Sequence, residues 1–174
     1  QRNNTEKIYI RMKKSNNNKE FSGIQIIGIG DNTVDGFKEY FPEDIILSVC
    51  GHDSGDYNEE DIHKSIDCDS KTAFIITDLG GEHSIDVATL IARKCKEVGK
   101  ASIGIATLPF AFEGATKCEQ ALCEALELLR NTDAAFFLNN QSLLESNREM
   151  SVSEALKKRD LILCQIIKGI NEVE

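Results

Sequence analysis

No apolar stretch in this sequence comes near the ~20 residues that a helix needs to cross a bilayer. The longest run, Ile24 to Ile29, is interrupted by Gln25 and Gly28. The chain opens at Gln1 on polar residues, without the charged, apolar and small-residue succession of a signal peptide. A cytoplasmic location is therefore expected. Positive charge is also scarce: 20 basic side chains stand against 29 acidic ones, a net charge of −9. That excludes binding to a phosphate backbone, which needs a basic face. The six cysteines form no Cys-x-x-Cys pair, and no histidine follows at zinc-finger spacing, so no metal is expected. Cys95, Cys118 and Cys164 fall on or beside the apolar faces of expected helices and read as buried free thiols. There is no internal repeat.

What is present suits one domain. The chain has 174 residues, 41% of them apolar, which is enough to bury a core without metals or disulfides. Residues 1–22 read as an edge strand over Lys7–Met12 and a polar loop around Ser15–Lys19. Residues 50–70 carry Asp53, Asp56, Glu59, Glu60, Asp61, Asp67 and Asp69 against Lys64 alone. They read as a solvated loop face, or else as a docking surface for a basic partner.

From Gly23 onward the pattern alternates. Strands are expected over Ile24–Ile29, Ile45–Val49, Ala73–Thr77, Ser102–Thr107 and Ala134–Leu138, the first two as β-branched runs buried on both faces. Helices are expected over Thr33–Tyr40, ended by Pro42, and over Ser84–Val98. In the latter, Val87, Ala88, Ile91, Cys95 and Val98 form one stripe, closed by Gly99 with Lys100 near the negative pole. A third helix, Gly114–Arg130, has Cys118, Ala121, Leu122, Ala125, Leu126 and Leu129 on one face. A last one opens at the capping box Ser151 to Glu154 and carries Leu156, Leu163, Ile167 and Ile170. Alternation of this kind predicts an α/β fold: a three-layer, Rossmann-like, mostly parallel sheet with helices on both faces. Ligands bind such sheets at the carboxyl ends of the strands.

Two of those ends are glycine-rich. Gly28-Ile29-Gly30-Asp31-Asn32-Thr33 is either a phosphate-approaching turn at a helix N-terminus or simply a strand-to-helix turn that needs glycine. It lacks the third glycine of a dinucleotide fingerprint and the Gly-Lys-Ser/Thr of a P-loop. Asp78-Leu79-Gly80-Gly81-Glu82-His83-Ser84 repeats the pattern, with acids that suit a helix N-terminus but oppose a bound polyphosphate.

A third strand end is more specific. Thr107-Leu108-Pro109-Phe110-Ala111-Phe112-Glu113-Gly114, followed by Lys117, resembles the Thr-Lys-Pro-Phe-x-Phe-Glu-Gly stretch and basic helix start of the FtsZ/tubulin family. Asn140-Gln141-Ser142-Leu143-Leu144-Glu145 resembles that family's Asn-Asp-x-Leu-Leu-Glu, and Asp160 followed by Lys168-Gly169-Ile170 is similar to its central helix. The resemblance covers Gly23 to the C-terminus and implies the N-terminal GTP-binding domain. It implies GTP or GDP as the ligand, with Glu113, Lys117, Asn140 and Asp160 on the base and sugar side. Gly28, Gly30, Asp31, Asn32, Gly80 and Gly81 would lie on the phosphate side.

The departures fall on the phosphate side. Where the family carries Gly-Gly-Gly-Thr-Gly-Thr/Ser-Gly, this chain has Gly80-Gly81-Glu82-His83-Ser84-Ile85-Asp86, and Leu156 replaces the Phe that packs on the base. One like-charge contact at ~4 Å costs about 4 kcal/mol at an effective dielectric near 20. Two or three of them, from Asp31, Glu82 and Asp86, would cancel most of a micromolar affinity of about 8 kcal/mol. The chain ends at Glu174, so the family's catalytic acidic loop and second domain are expected to be missing and hydrolysis by this chain alone is not expected. The resemblance implies an interaction module that meets a protein partner or further FtsZ-like subunits. The alternative is a GTP-binding piece of a longer division protein.

Overall fold

Alternate residues of a strand point to opposite faces, so a strand apolar at every position can only sit between two layers. That is the position of β1, Ile24–Ile29, every residue of which is buried. A computed structural model describes residue 21 and residues 23–30, 33–49, 59–146 and 149–173. It places β1 between β2 (Ile46–Val49) and β3 (Thr72–Asp78), with β4 (Ala101–Leu108) and β5 (Ala134–Asn139) beyond β3. Every pairing is parallel, in the order β2-β1-β3-β4-β5. The carboxyl ends of all five strands therefore lie along one rim.

The two sheet faces carry separate cores. Ile27, Leu47, Ile75 and Ala106 pack under α2 (Ser84–Glu97) and α3 (Ala115–Asn131), joined by Ile62 of α1 (Glu59–Ser65). Ile26, Phe74, Ile76 and Ile105 pack on the other face against Leu163, Cys164 and Ile167 of α5 (Val152–Asn171). The expected three-layer architecture is thus observed. Burying an Ile or Phe contributes about 1.5–3 kcal/mol, and the fully buried Ile26, Ile27, Ile75 and Phe74 make the centre of the sheet its firmest part. The capping box forms as expected: Ser151 Oγ accepts from Glu154 N at 3.3 Å, and Glu154 Oε2 accepts from Ser151 N at 2.8 Å.

Four expectations are corrected. The helix expected over Thr33–Tyr40 is a single 3-10 turn, Asp35–Glu39. Phe37 and Phe41 must both reach the core, Phe37 fully buried, within one short connection. Gly36 also lies so close to α5 that a Cβ there would stand 2.5 Å from Asp160 Oδ2. The acidic stretch is not all loop: α1 forms within it because Ile62 and Ile66 find the core while Glu59 and Glu60 face water. On α3 the buried residues are Ala121, Glu124 and Leu128, and Leu122, Leu126 and Leu129 are exposed. Leucines occupy more of this helix than the sheet can cover, and Leu128 settles the choice by seating on Gly104, where a Cβ would come within 2.9 Å. Lys100 does close the end of α2, its backbone N–H donating to Cys95 O at 2.8 Å, but its side chain is buried in a separate network. Its ammonium donates to Gln25 Oε1 at 2.6 Å, to Asp67 O at 3.0 Å and to Ser70 Oγ.

Cys95 and Cys164 are buried as expected, and Cys118 is half-buried. Burial pushes the Cys164 thiol up to about 12, which keeps it protonated and unreactive. The edge strand expected over Lys7–Met12 and the polar loop after it lie outside the described residues.

Candidate functional site

The rim formed by the carboxyl ends of β3, β4 and β5 borders a cleft of about 350 Å³. Strand β3 ends in Asp78, whose Oδ1 accepts from the hydroxyl of Thr107 on β4. Past β4 the chain turns through Pro109 and Phe110 into a 3-10 turn, Ala111–Glu113. Glu113 folds back so that Oε1 accepts from Phe110 N at 2.8 Å, while Oε2 receives Lys117 Nζ at 2.6 Å. Burial alone would raise the Glu113 pKa. The Lys117 hydrogen bond, the Phe110 N–H and the Lys117 charge outweigh it and hold the carboxyl below its ordinary value. Phe110 and Phe112 stack at 5.0 Å between ring centroids, and Phe112 is largely exposed beside the mouth.

The far wall comes from α4 (Asn140–Glu145) and α5. Asn139 caps α4, its side chain accepting from Gln141 N at 2.9 Å. Gln141 in turn accepts from Ala111 N at 3.0 Å, which locks α4 against the 3-10 turn. Asn140 lines the cleft with its side chain buried, and its Oδ1 has no hydrogen-bond partner among the described residues. A buried acceptor left unpaired costs about 1–3 kcal/mol, and this one stands in the wall of the cleft. Arg159 of α5 completes the wall. Its Nη1 lies 3.5 Å from Asp78 Oδ1 and its Nη2 2.8 Å from Asp160 Oδ1, with the side chain only 12% exposed.

The residues singled out in the sequence separate into two groups. Glu113, Lys117 and Asn140 meet in the cleft. Asp160 does not line it: the carboxylate packs on Gly36 and pairs with Arg159. Burial raises its pKa, against the lowering effect of the Arg159 charge and hydrogen bond. Gly28 lies inside β1, where a Cβ would collide with Val34 at 2.3 Å. Gly30 has a positive φ and spends its N–H on Val49 O at 3.0 Å, while Thr33 Oγ1 closes onto Ile29 O at 2.9 Å. Asp31 and Asn32 fall outside the described residues.

On the second glycine-rich end, Gly80 also has a positive φ, and its N–H donates to Glu124 Oε2 at 2.6 Å. Gly81 is unencumbered, with Ser84 Oγ 3.5 Å from where a Cβ would stand. His83 takes a left-handed conformation at the start of α2, its Nδ1 3.7 Å from Asp86 Oδ2.

Two side chains escaped the sequence reading. Arg159 could have been found from its place three residues after Leu156, on the same face of α5. Glu124 carried no such signal, because an acid among leucines on a helix ordinarily faces water.

No protein-family model matches the chain. The cell division protein FtsZ of Aquifex aeolicus is 37% identical to it over 117 residues, 66% of this chain and 32% of that protein. Among solved structures, an empty FtsZ dimer from M. jannaschii superposes with a TM-score of 0.68 at 22% identity, over 85% of this chain and 54% of that one.

The chain belongs to the FtsZ/tubulin family.

It spans about a third of the Aquifex protein and about half of the M. jannaschii chain. The same fold recurs in CetZ from Methanosaeta thermophila, with a TM-score of 0.63 at 14% identity over 85% of this chain and 54% of that one. Within the FtsZ-type domain, the stretch Thr107–Gly114 that carried the resemblance builds the floor and near wall of the cleft.

Proposed function

We propose that this FtsZ-family chain is a non-hydrolysing interaction module linked to cell division or filament assembly, with the phosphate side of its nucleotide site altered. The observation that carries this reading is the hydrogen bond from Gly80 N to Glu124 Oε2, 2.6 Å. In a loop that cradles phosphates, backbone N–H groups must point at the anion. Here the first of them is held by a carboxylate of the chain itself. Past Gly81 come Glu82, His83 and Asp86, and the Gly30 N–H is likewise spent within the fold. A triphosphate would have to displace one carboxylate and approach others.

A second reading rests on Asn140. Its unpaired, buried Oδ1 suits a donor on a nucleobase, with Glu113 and Lys117 beside it and the stacked Phe110–Phe112 pair at the mouth. On this side the residues present fit a guanine nucleotide, so a GTP- or GDP-binding domain of a longer division protein is the alternative.

Calorimetric titration of the purified chain with GTP and GDP, magnesium present, separates the two, paired with co-sedimentation on polymers of a cognate FtsZ-like protein. The module reading expects no guanine-nucleotide heat up to millimolar ligand and a change in the amount of polymer pelleted. Tight nucleotide binding would overturn it in favour of the second reading.

A further inference from the structure

We infer that the chain pairs with a second copy of itself along the edge of β5, with the leucine face of α3 closing over the joint. The inference stands apart from any reading of the cleft.

Strand β5 reads Ala-Ala-Phe-Phe-Leu-Asn, with no charge and no proline. Among the described residues it pairs with β4 alone, and none of them pairs with its outer edge. Natural edge strands are blunted by charge, proline, a bulge or a cover, and this one carries neither charge nor proline. Phe136 and Phe137 are 40% and 39% exposed. Phe137 pairs with Ala106, which belongs to the face under α3. It therefore shares that face with Leu122, Leu126 and Leu129, which are 58%, 55% and 49% exposed.

The leucines point toward this edge. Glu124, on the opposite flank of α3, reaches inward to the loop after β3. Leu122 lines a groove with Asn139 at the end of β5. Phe136 pairs with Ile105 and so lies on the other face, but Phe137 and the three leucines together expose roughly 350 Å² of apolar surface, within the range (about 300–600 Å²) of patches that are often functional. A stable interface buries about 800 Å² from each partner, so the patch supplies about half and the strand edge and helix flanks supply the rest.

A second copy fits because the surface is complementary to itself. A twofold axis normal to the sheet sets β5 antiparallel to its copy and keeps both α3 helices on the same face. The leucine stripes then meet side by side. Exposed Glu119 and Arg130 lie near opposite ends of the same flank, so antiparallel helices bring each acid toward the other copy's guanidinium. The chain carries a net charge of −9 and repels itself over much of its surface, whereas the leucine stripe and β5 carry no charge.

Sedimentation velocity of the 174-residue chain, without nucleotide or other protein, tests the pairing over a wide concentration range. The expected result is a dimer that weakens by about tenfold or more in Leu126→Glu and in Phe137→Lys, both of them exposed positions that leave the core intact. Hydrogen exchange at low and high concentration should show the Ala134–Asn139 amides becoming protected as the dimer forms, which decides the matter if a variant fails to fold. A monomer at every concentration overturns the inference, whether or not another segment covers the edge. So does a dimer that persists in both folded variants or leaves β5 exchange unchanged.

Discussion

Glu124 of α3 accepts the backbone N–H of Gly80 at 2.6 Å, tying the helix to the loop after β3 across 44 residues of chain. Its other oxygen accepts from Gln120 Nε2 at 2.7 Å, and the side chain is almost wholly buried. The loop has little room to move away: a Cβ on Gly80 would stand 2.7 Å from Lys117 Cγ. One contact thus fixes the loop that in the FtsZ/tubulin family faces the phosphates.

Replacing Glu124 by Ala should cost about 1–3 kcal/mol, because a part-buried N–H loses a charged acceptor. Urea denaturation reads this as a lower midpoint with an unchanged slope. An unshifted midpoint would show that the Gly80 N–H finds water readily and that the bond does not hold the loop.

Asn140 should behave in the opposite way. Its Oδ1 is buried without a partner among the described residues, so Asn140→Leu removes a polar atom that nothing satisfies. The free chain should be as stable as before or slightly more so in a thermal melt. Any stabilisation of the chain by guanosine or GDP should fall by about tenfold in apparent affinity, about 1.4 kcal/mol. Equal ligand-induced shifts in both proteins would remove Asn140 from the site.

Lys100 gives the chain an alkaline signature. Burial lowers its pKa, and the negative groups around it only partly oppose the shift. The folded protein therefore gives up this proton more readily than the unfolded chain. Between the lowered folded value and the ordinary 10.5 the unfolded state binds more protons, and stability from this group rises with pH. Lys100→Met should flatten that rise. It should also lower stability at neutral pH, because Gln25, Asp67 and Ser70 lose their common donor. Denaturation midpoints from pH 7 to 10.5 would show it, and parallel profiles for the two proteins would refute it.

The glycines offer a contrast. Gly28→Ala should cost about 1–3 kcal/mol by overpacking, since the new methyl meets Val34 Cγ1 at 2.3 Å inside the buried strand β1. Gly81→Ala, whose nearest neighbour is Ser84 Oγ at 3.5 Å, should stay within about 0.5 kcal/mol. Comparable losses at both positions would mean that Val34 yields and that Gly28 is not there for packing.

Periodicity and composition by themselves determined the layered α/β fold. A β-branched run such as Ile24–Ile29 is stable only between two layers, and regular alternation of strands with helices favours a parallel sheet. The motif from Thr107 to Gly114 likewise marked one wall of the cleft, because its glycine, proline and aromatics act through a local turn. Only the tertiary structure decided which helix faces were covered. On α3 two apolar arcs compete, and the seating of Leu128 on Gly104 selects one and leaves Leu122, Leu126 and Leu129 outside. The partners of Glu124, Lys100 and Arg159 were also beyond the sequence. Each is a long charged side chain whose acceptors or donors come from distant segments, and burial of such a group is settled by where those segments meet.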